Sequence, residues 1–285
     1  MASTRLNESL TATSGVYFEA GECVLSQQSA HQLIEVFDTP DLGKLMRLDG
    51  ANMVSERDEF FYHEALVHPV AMTHPNPRTA LIIGGGDGGT AEELLKHPSI
   101  VRCELCELDG AVIDVAKAHF VSVHKQVFDD ARLQVVIGDG LLHVKETTDR
   151  FDLIYLDLTD PIGPAEVLYQ QSFYRDCQRL LNEGGALTLH IGSPFSHPER
   201  AKQTISNLQA VFQTVRPYFV HVPMYGATWG FAVASNTLDI KTIDVATIEA
   251  RLVTRAIEDR QFYNADMHHA VQCLPEYVQS LLASV

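Results

Sequence analysis

No apolar run in this chain reaches the roughly 18 residues a membrane-spanning helix needs, and none is expected to cross a bilayer. The N-terminus has no basic stretch leading into an apolar core, so a secretory signal is not expected and the cytoplasm is. Basic residues are scarce: 21 Lys and Arg stand against 37 Asp and Glu, a net charge of −16. That deficit excludes nucleic acid as a natural partner, because phosphates need cations, and leaves cationic partners open. Cysteines number only five and lie scattered, which fits reduced thiols rather than a disulfide framework. The one close pair, Cys103-x-x-Cys106, falls inside a strand-like run, where alternation points the two thiols to opposite faces. The thirteen histidines show no HExxH or similar spacing, and no metal is expected. A Gly-Lys-Ser/Thr phosphate loop is absent, as are internal repeats and low-complexity tracts.

What is present suits an ordinary soluble globular protein. The 285 residues are 46% hydrophobic and 20% charged, enough for a full core in one main domain plus a small one. The organising stretch is Leu81-Ile82-Ile83-Gly84-Gly85-Gly86-Asp87-Gly88-Gly89-Thr90. Three apolar residues make a buried strand, five glycines around one acid make a tight turn, and a helix follows. Such a turn lets backbone approach a ligand at a helix N-terminus. A pyrophosphate would be repelled by Asp87, whereas a ligand with a sulfonium or an amine would be attracted.

The rest of the chain reads in two parts. Residues 1–15 are polar and small and read as a poorly ordered lead-in. Short β-like runs from Val16 to Val54 predict a small antiparallel sheet, which places an N-terminal β domain over 1–58 and a catalytic domain over 59–285. A helix is predicted over 60–71. Strands 81–83, 100–108, 132–137, 151–157 and 186–191 then alternate with helices 90–97, 110–120, 141–148, 172–182 and 198–212. Gly184-Gly185 reads as a helix stop. Strands near 218–223 and 229–235 follow one another without a long helix and are expected to be antiparallel. Helical pieces at 244–256 and 274–283 close the chain. The fold class is therefore α/β: a Rossmann-like, class I methyltransferase-type doubly wound sheet behind a small N-terminal antiparallel β domain.

In such a sheet ligands lie off the carboxyl ends of the strands. Acids stand at four of those ends: Asp87, Glu107 with Asp109, Asp139, and Asp157 with Asp160. Glu107 and Asp109 both qualify by position to hold a ribose hydroxyl pair, and their spacing does not choose between them. Asp139, between two glycines, can accept from an exocyclic amine or cap the next helix. Asp157-Leu158-Thr159-Asp160-Pro161-Ile162-Gly163-Pro164-Ala165-Glu166 places two acids three apart before a stiff loop. Two carboxylates aimed into a cleft bind a cation, and a diamine relieves their repulsion.

These residues carry a resemblance. YHE at 62–64, LIIGGGDGG at 81–89, CELD at 106–109, GDG at 138–140 and DLTDPIGPAE at 157–166 resemble the polyamine aminopropyltransferases, above all those that act on putrescine to form spermidine. LDG at 48–50, ERDEFFYHE at 56–64, FY at 173–174 and LP-Y at 274–277 extend the likeness from about 16 to 283. The resemblance implies a co-substrate, decarboxylated S-adenosylmethionine, with no prosthetic group. It implies Asp157 as the base and Asp160 as the diamine's anchor. It gives the aminopropyl amine or the product to His63 and Asp87, and part of the nucleoside to Gln32. Glu107 then takes the ribose, Asp139 and Gly140 the adenine, and Pro164 borders it, while Tyr62 and Tyr225 line the amine channel. A homodimer built partly through the N-terminal sheet is also implied.

Four departures lie on the acceptor side. Met53 stands where the family usually has Gln, and Leu158 where it has a small Ser, Thr or Cys. His190-Ile191-Gly192-Ser193-Pro194 replaces the frequent Gln-x-Glu-Ser-Pro, and the loop after Tyr225 is about one residue short. His190 reads equally as a core histidine or as a replacement polar contact. Putrescine is thus the expected acceptor, with cadaverine, agmatine or spermidine as alternatives. A non-catalytic nucleoside-binding homologue is the reading from another class, and a methyltransferase is opposed by Asp87.

Overall fold

A computed structural model describes residues 4–283. Strands β1 (Thr4–Ser9) and β2 (Gly15–Ala20) form an antiparallel hairpin. Strands β3 (Cys23–Gln28), β4 (Leu33–Thr39), β5 (Gly43–Leu48) and β6 (Ala51–Ser55) form a four-stranded antiparallel sheet. Helix α1 (Glu59–Thr73) leads to β7 (Thr79–Gly84), α2 (Gly89–Leu95), β8 (Arg102–Glu107), α3 (Gly110–His119) and the one-turn α4 (Val121–His124). Next come β9 (Leu133–Ile137), α5 (Gly140–Glu146), β10 (Phe151–Asp157), α6 (Gln171–Leu180), β11 (Leu181–Gly192) and α7 (Pro198–Gln209). Strands β12 (Thr214–Val222) and β13 (Ala227–Ser235) and helices α8 (Val245–Thr254), α9 (Ala265–Ala270) and α10 (Glu276–Leu282) complete the described residues.

The main sheet has the order β12-β13-β11-β10-β7-β8-β9. Strands β9, β8, β7, β10 and β11 run parallel, and β13 is antiparallel to both β11 and β12, as the short connection between the last two strands predicts. Alternate residues of β7 serve two cores: Ala80 and Ile82 join α1 and α2 on one face, and Leu81 and Ile83 join α6 on the other. Cys103 and Cys106 divide between the same two faces, in keeping with strand alternation. The chain reverses direction across the sheet between β7 and β10, which opens a crevice at their carboxyl ends. Asp157 and Gly84 are paired there, the last residues of their strands.

Helix α1 shows how tightly the site's back wall is held. Pro69 cannot donate to the carbonyl four residues earlier, that of Ala65. The buried Tyr218 hydroxyl donates to that carbonyl instead, at 2.9 Å. Glu64, fully buried, accepts backbone N–H groups of Gln261, Phe262 and Tyr263 at 2.6–3.0 Å, tying the C-terminal segment to the helix.

Three expectations need correction. Residues 4–9 are not a loose lead-in but strand β1; residues 1–3 lie outside the described residues. Its polar sequence is held by cross-strand partners, Arg5 to Glu19 at 2.8 Å and Arg5 over the Tyr17 ring. The N-terminal part also holds two small sheets rather than one, the β1–β2 hairpin and the four-stranded sheet β3–β6. Finally, Gly184-Gly185 does not stop a helix. Helix α6 ends at Leu180, the chain passes directly into β11, and Gly184, at φ +81°, makes a bulge opposite Phe151–Leu153.

Candidate active site

Asp157 sits at the centre of the crevice. Its Oδ1 accepts from the Tyr62 hydroxyl at 3.0 Å and its Oδ2 from Thr90 Oγ1 at 2.7 Å. The glycine turn wraps this residue: Gly85 N donates to the Asp157 carbonyl at 3.0 Å. Gly84 has φ +81°, and a Cβ there would lie 2.1 Å from the same carbonyl oxygen. The glycines therefore fit the turn closely around the Asp157 backbone. Burial, with a further push from Asp87, raises the Asp157 carboxyl above its ordinary range.

His63 and Asp87 face each other across the turn, with 3.6 Å between Nε2 and Oδ1. The other ring nitrogen, Nδ1, meets Glu59 Oε2 at 2.7 Å. Burial lowers the imidazole's proton affinity, but Asp87 and Glu59 outweigh it and hold His63 well above its usual range. Burial likewise raises Asp87, and the His63 charge reverses the direction to a net fall. Ligand atoms of His63, Asp87 and Asp157 all lie within 4.8 Å of one another. A protonated His63 has no free lone pair for a metal, which leaves the two carboxylates, Asp87 and Asp157, as the acceptors of this trio.

The nucleoside side separates the two acids that spacing left open. Asp109 is fully used: Oδ1 caps α3 at Ala111 N, and Oδ2 accepts from Ser29 Oγ at 2.6 Å and Gln32 Nε2 at 3.0 Å. Glu107 accepts the Asp109 N–H through Oε1, while Oε2 lies against the glycine turn. Burial pushes its carboxyl up to about 7. Asp139 caps α5 through Leu141 N at 2.8 Å, so the capping role is present, and its second oxygen remains open. Gly140 lies so near Ile83 that a Cβ would fall 2.5 Å from it. Pro164 belongs to the 3-10 helix Gly163–Tyr169, and its side chain is outside the described residues.

The side expected to take the acceptor is walled by aromatic rings. Tyr62 contacts Tyr225 edge-on at 6.2 Å between centroids, Tyr225 lies 4.6 Å from Trp229, and Trp229 stacks on His190 at 5.8 Å. Tyr225 donates to the Met53 carbonyl at 3.2 Å. His190 is both a buried histidine and a polar contact. Its Nε2 lies 2.8 Å from the Leu158 carbonyl, which can only accept, so Nε2 carries the proton and Nδ1 is bare. Burial lowers His190 and keeps it neutral. Asp160 is paired with a cation: Arg200 Nη1 reaches its Oδ2 at 2.6 Å. Asp160 Oδ1, His190 Nδ1 and Trp229 Nε1 are buried side-chain atoms without partners, and all three belong to this wall.

Residues 59–245 match the model of the spermine/spermidine synthase domain. A polyamine aminopropyltransferase of Nitrosomonas europaea is 45% identical over 97% of this chain and 85% of its own. Polyamine aminopropyltransferase 1 of Pseudomonas aeruginosa is 40% identical, covering 95% of each chain. The chain belongs to the spermine/spermidine synthase family. Among solved structures, a spermidine synthase in complex with the transition-state analogue AdoDATO superposes with a TM-score of 0.93 at 35% identity, over 99% of this chain and 96% of that one. The spermidine synthase of Thermotoga maritima gives 0.91 at 34% identity, over 99% and 95%. The protein is thus a transferase of the polyamine aminopropyltransferase class, on an α/β methyltransferase-like fold.

Several residues around this aminopropyltransferase site escaped the sequence reading. Thr90 and Glu59 were within reach: one opens the helix after the turn, and the other stands four residues before His63 on the same helical face. Trp229, the only tryptophan, was a visible signal for a wall residue. Asp58 accepts Met224 N at 2.6 Å and so fixes the approach to Tyr225, a contact across 166 positions that no local pattern marks. Arg200, at the start of α7, gave no local signal either.

Proposed function

We propose that this chain transfers the aminopropyl group of decarboxylated S-adenosylmethionine to putrescine, giving spermidine and methylthioadenosine. The observation that carries this reading is the setting of Asp157: raised by burial, oriented by Tyr62 and Thr90, and beside the turn that carries Asp87. The amine must be uncharged to attack. Its nitrogen lone pair forms the new bond to the carbon next to sulfur, the carbon–sulfur bond breaks, and that electron pair neutralises the sulfonium. The proton shed by the amine passes to Asp157, whose proton affinity is raised by burial. Aligning nitrogen, carbon and sulfur supplies much of the acceleration.

In this reading Asp87 holds the aminopropyl ammonium while His63 orients Asp87, and Asp87 would oppose the carboxylate of ordinary S-adenosylmethionine. Glu107 takes the ribose hydroxyls, Asp139, Gly140 and Pro164 border the adenine, and Gln32 supports the nucleoside through Asp109. Tyr62 and Tyr225 line the amine channel, and Asp160 receives the far ammonium. A cytoplasmic homodimer, with the N-terminal sheets at the contact, belongs to the same proposal. Among the described residues no helix is long and apolar enough to cross a membrane.

The test is methylthioadenosine release with decarboxylated S-adenosylmethionine and, separately, putrescine, cadaverine, agmatine and spermidine. Fastest release with putrescine is the expected result. Release with another amine alone would replace the acceptor, and nucleoside binding without release from any amine would favour a binding protein.

A further inference from the structure

We propose that Arg200 sets acceptor selectivity: its guanidinium fills the distal-ammonium subsite at Asp160 and weakens the preference for a diamine over a monoamine. This rests on the aminopropyl-transfer reading. Arg200 projects from the first turn of α7 and meets Asp160 at 2.6 Å, with both side chains largely covered at 22% and 30% exposure. Its stem passes Gly192, which sits at a register shift in β11 with φ +73°. A Cβ there would lie 3.9 Å from Arg200 Cδ, in ordinary van der Waals contact with the side chain.

The charge balance follows. Asp157 faces the reacting nitrogen, and its anionic character is not neutralised by any arginine or lysine hydrogen bond. Asp160, three residues on, is already paired with a cation. A diamine's far ammonium must displace Arg200 or share Asp160 with it, and either way loses attraction. The orphaned Oδ1 of Asp160 and the bare Nδ1 of His190 remain as neutral-compatible acceptors on the same wall. Glu8 of β1, a half-buried carboxyl raised by burial, is the other acid whose field reaches Asp160, and it is engaged by Asn52 N at 2.9 Å. His197 next to α7 is lowered by burial and by Arg200, and adds no opposing positive charge.

The experiment compares putrescine with n-butylamine, the same chain without the second nitrogen, in the wild type and in Arg200→Ala and Arg200→Lys. The readout is the ratio of kcat/KM for the two amines, from methylthioadenosine release. Arg200→Ala is expected to raise the putrescine-to-butylamine ratio about five-fold, the scale of one half-buried charge pair, chiefly through a lower KM for putrescine. Arg200→Lys keeps the cation and should stay near the wild-type ratio. Should alanine lower the melting temperature, Arg200→Gln preserves the side chain's reach without its charge. An unchanged or reduced ratio in the neutral variants, with turnover intact, overturns the role of Arg200. Absence of release from the wild type with either amine overturns the transfer reading itself.

Discussion

The Thr90 hydroxyl donates to Oδ2 of Asp157 at 2.7 Å, which links the helix after the glycine turn to the end of the neighbouring strand. That bond stabilises the ionised carboxylate and so holds the Asp157 proton affinity down against burial. Thr90→Val removes the bond at nearly constant volume. Asp157 should then rise further, and the acid limb of the kcat/KM–pH profile should move to higher pH. A profile that keeps its acid limb would deny Asp157 that role.

Asp157→Asn removes the proton acceptor while keeping size and the Tyr62 contact. Turnover should fall at least about 100-fold, the range for loss of a general base. Methylthioadenosine affinity, measured by calorimetry, should be unchanged.

Glu107 gives a pH dependence to nucleoside binding. Burial pushes its carboxyl up to about 7, and in the proposed reading ribose hydroxyls donate to the ionised form. Protonation below that value therefore opposes binding. Methylthioadenosine should bind about ten-fold more tightly at pH 8 than at pH 6. Glu107→Gln should bind weakly and flatten the dependence.

Gly89 lies under the His63 ring, where a Cβ would fall 2.2 Å from Cε1. The ring is pinned between Glu59 and Asp87 and is buried, so it cannot yield without losing both. Gly89→Ala should cost about 2 kcal/mol of stability through overpacking, read as a lower melting temperature, together with a large loss of turnover.

Asp87→Asn should bring the affinities for decarboxylated and ordinary S-adenosylmethionine closer by about ten-fold, because one like-charge opposition is gone. Competitive displacement of labelled methylthioadenosine measures both. Equal discrimination before and after the change would assign it elsewhere.

Legibility in the sequence followed the range of the interactions. Strand β7, its turn and Asp157 were visible because a strand buried on both faces is uniformly apolar and its turn needs glycine. Strand β1 was hidden because TRLNES is polar and draws its order from β2. The Gly184-Gly185 pair imitated a helix stop, and only the register with β10 reveals a bulge. Spacing left Glu107 and Asp109 equivalent; the hydrogen bonds from Ser29 and Gln32, some 80 positions away, separate them. The Arg200–Asp160 contact spans 40 positions and alters what Asp160 can do, which no motif could state.

The walls of the reaction centre are also far apart in translation. Tyr62 meets Asp157 across 95 positions, and Tyr225 meets Met53 across 172. A chain emerging from the ribosome carries its nucleoside turn and Glu107 before the midpoint, yet lacks Trp229 and the partner of Asp58 until most of it has been made. A product truncated before Met224 would keep the first half of the pocket, expose the aromatic surface of α1, and offer Asp58 no backbone donor. Such fragments lack the Tyr225 and Trp229 rings that complete the wall beside Tyr62.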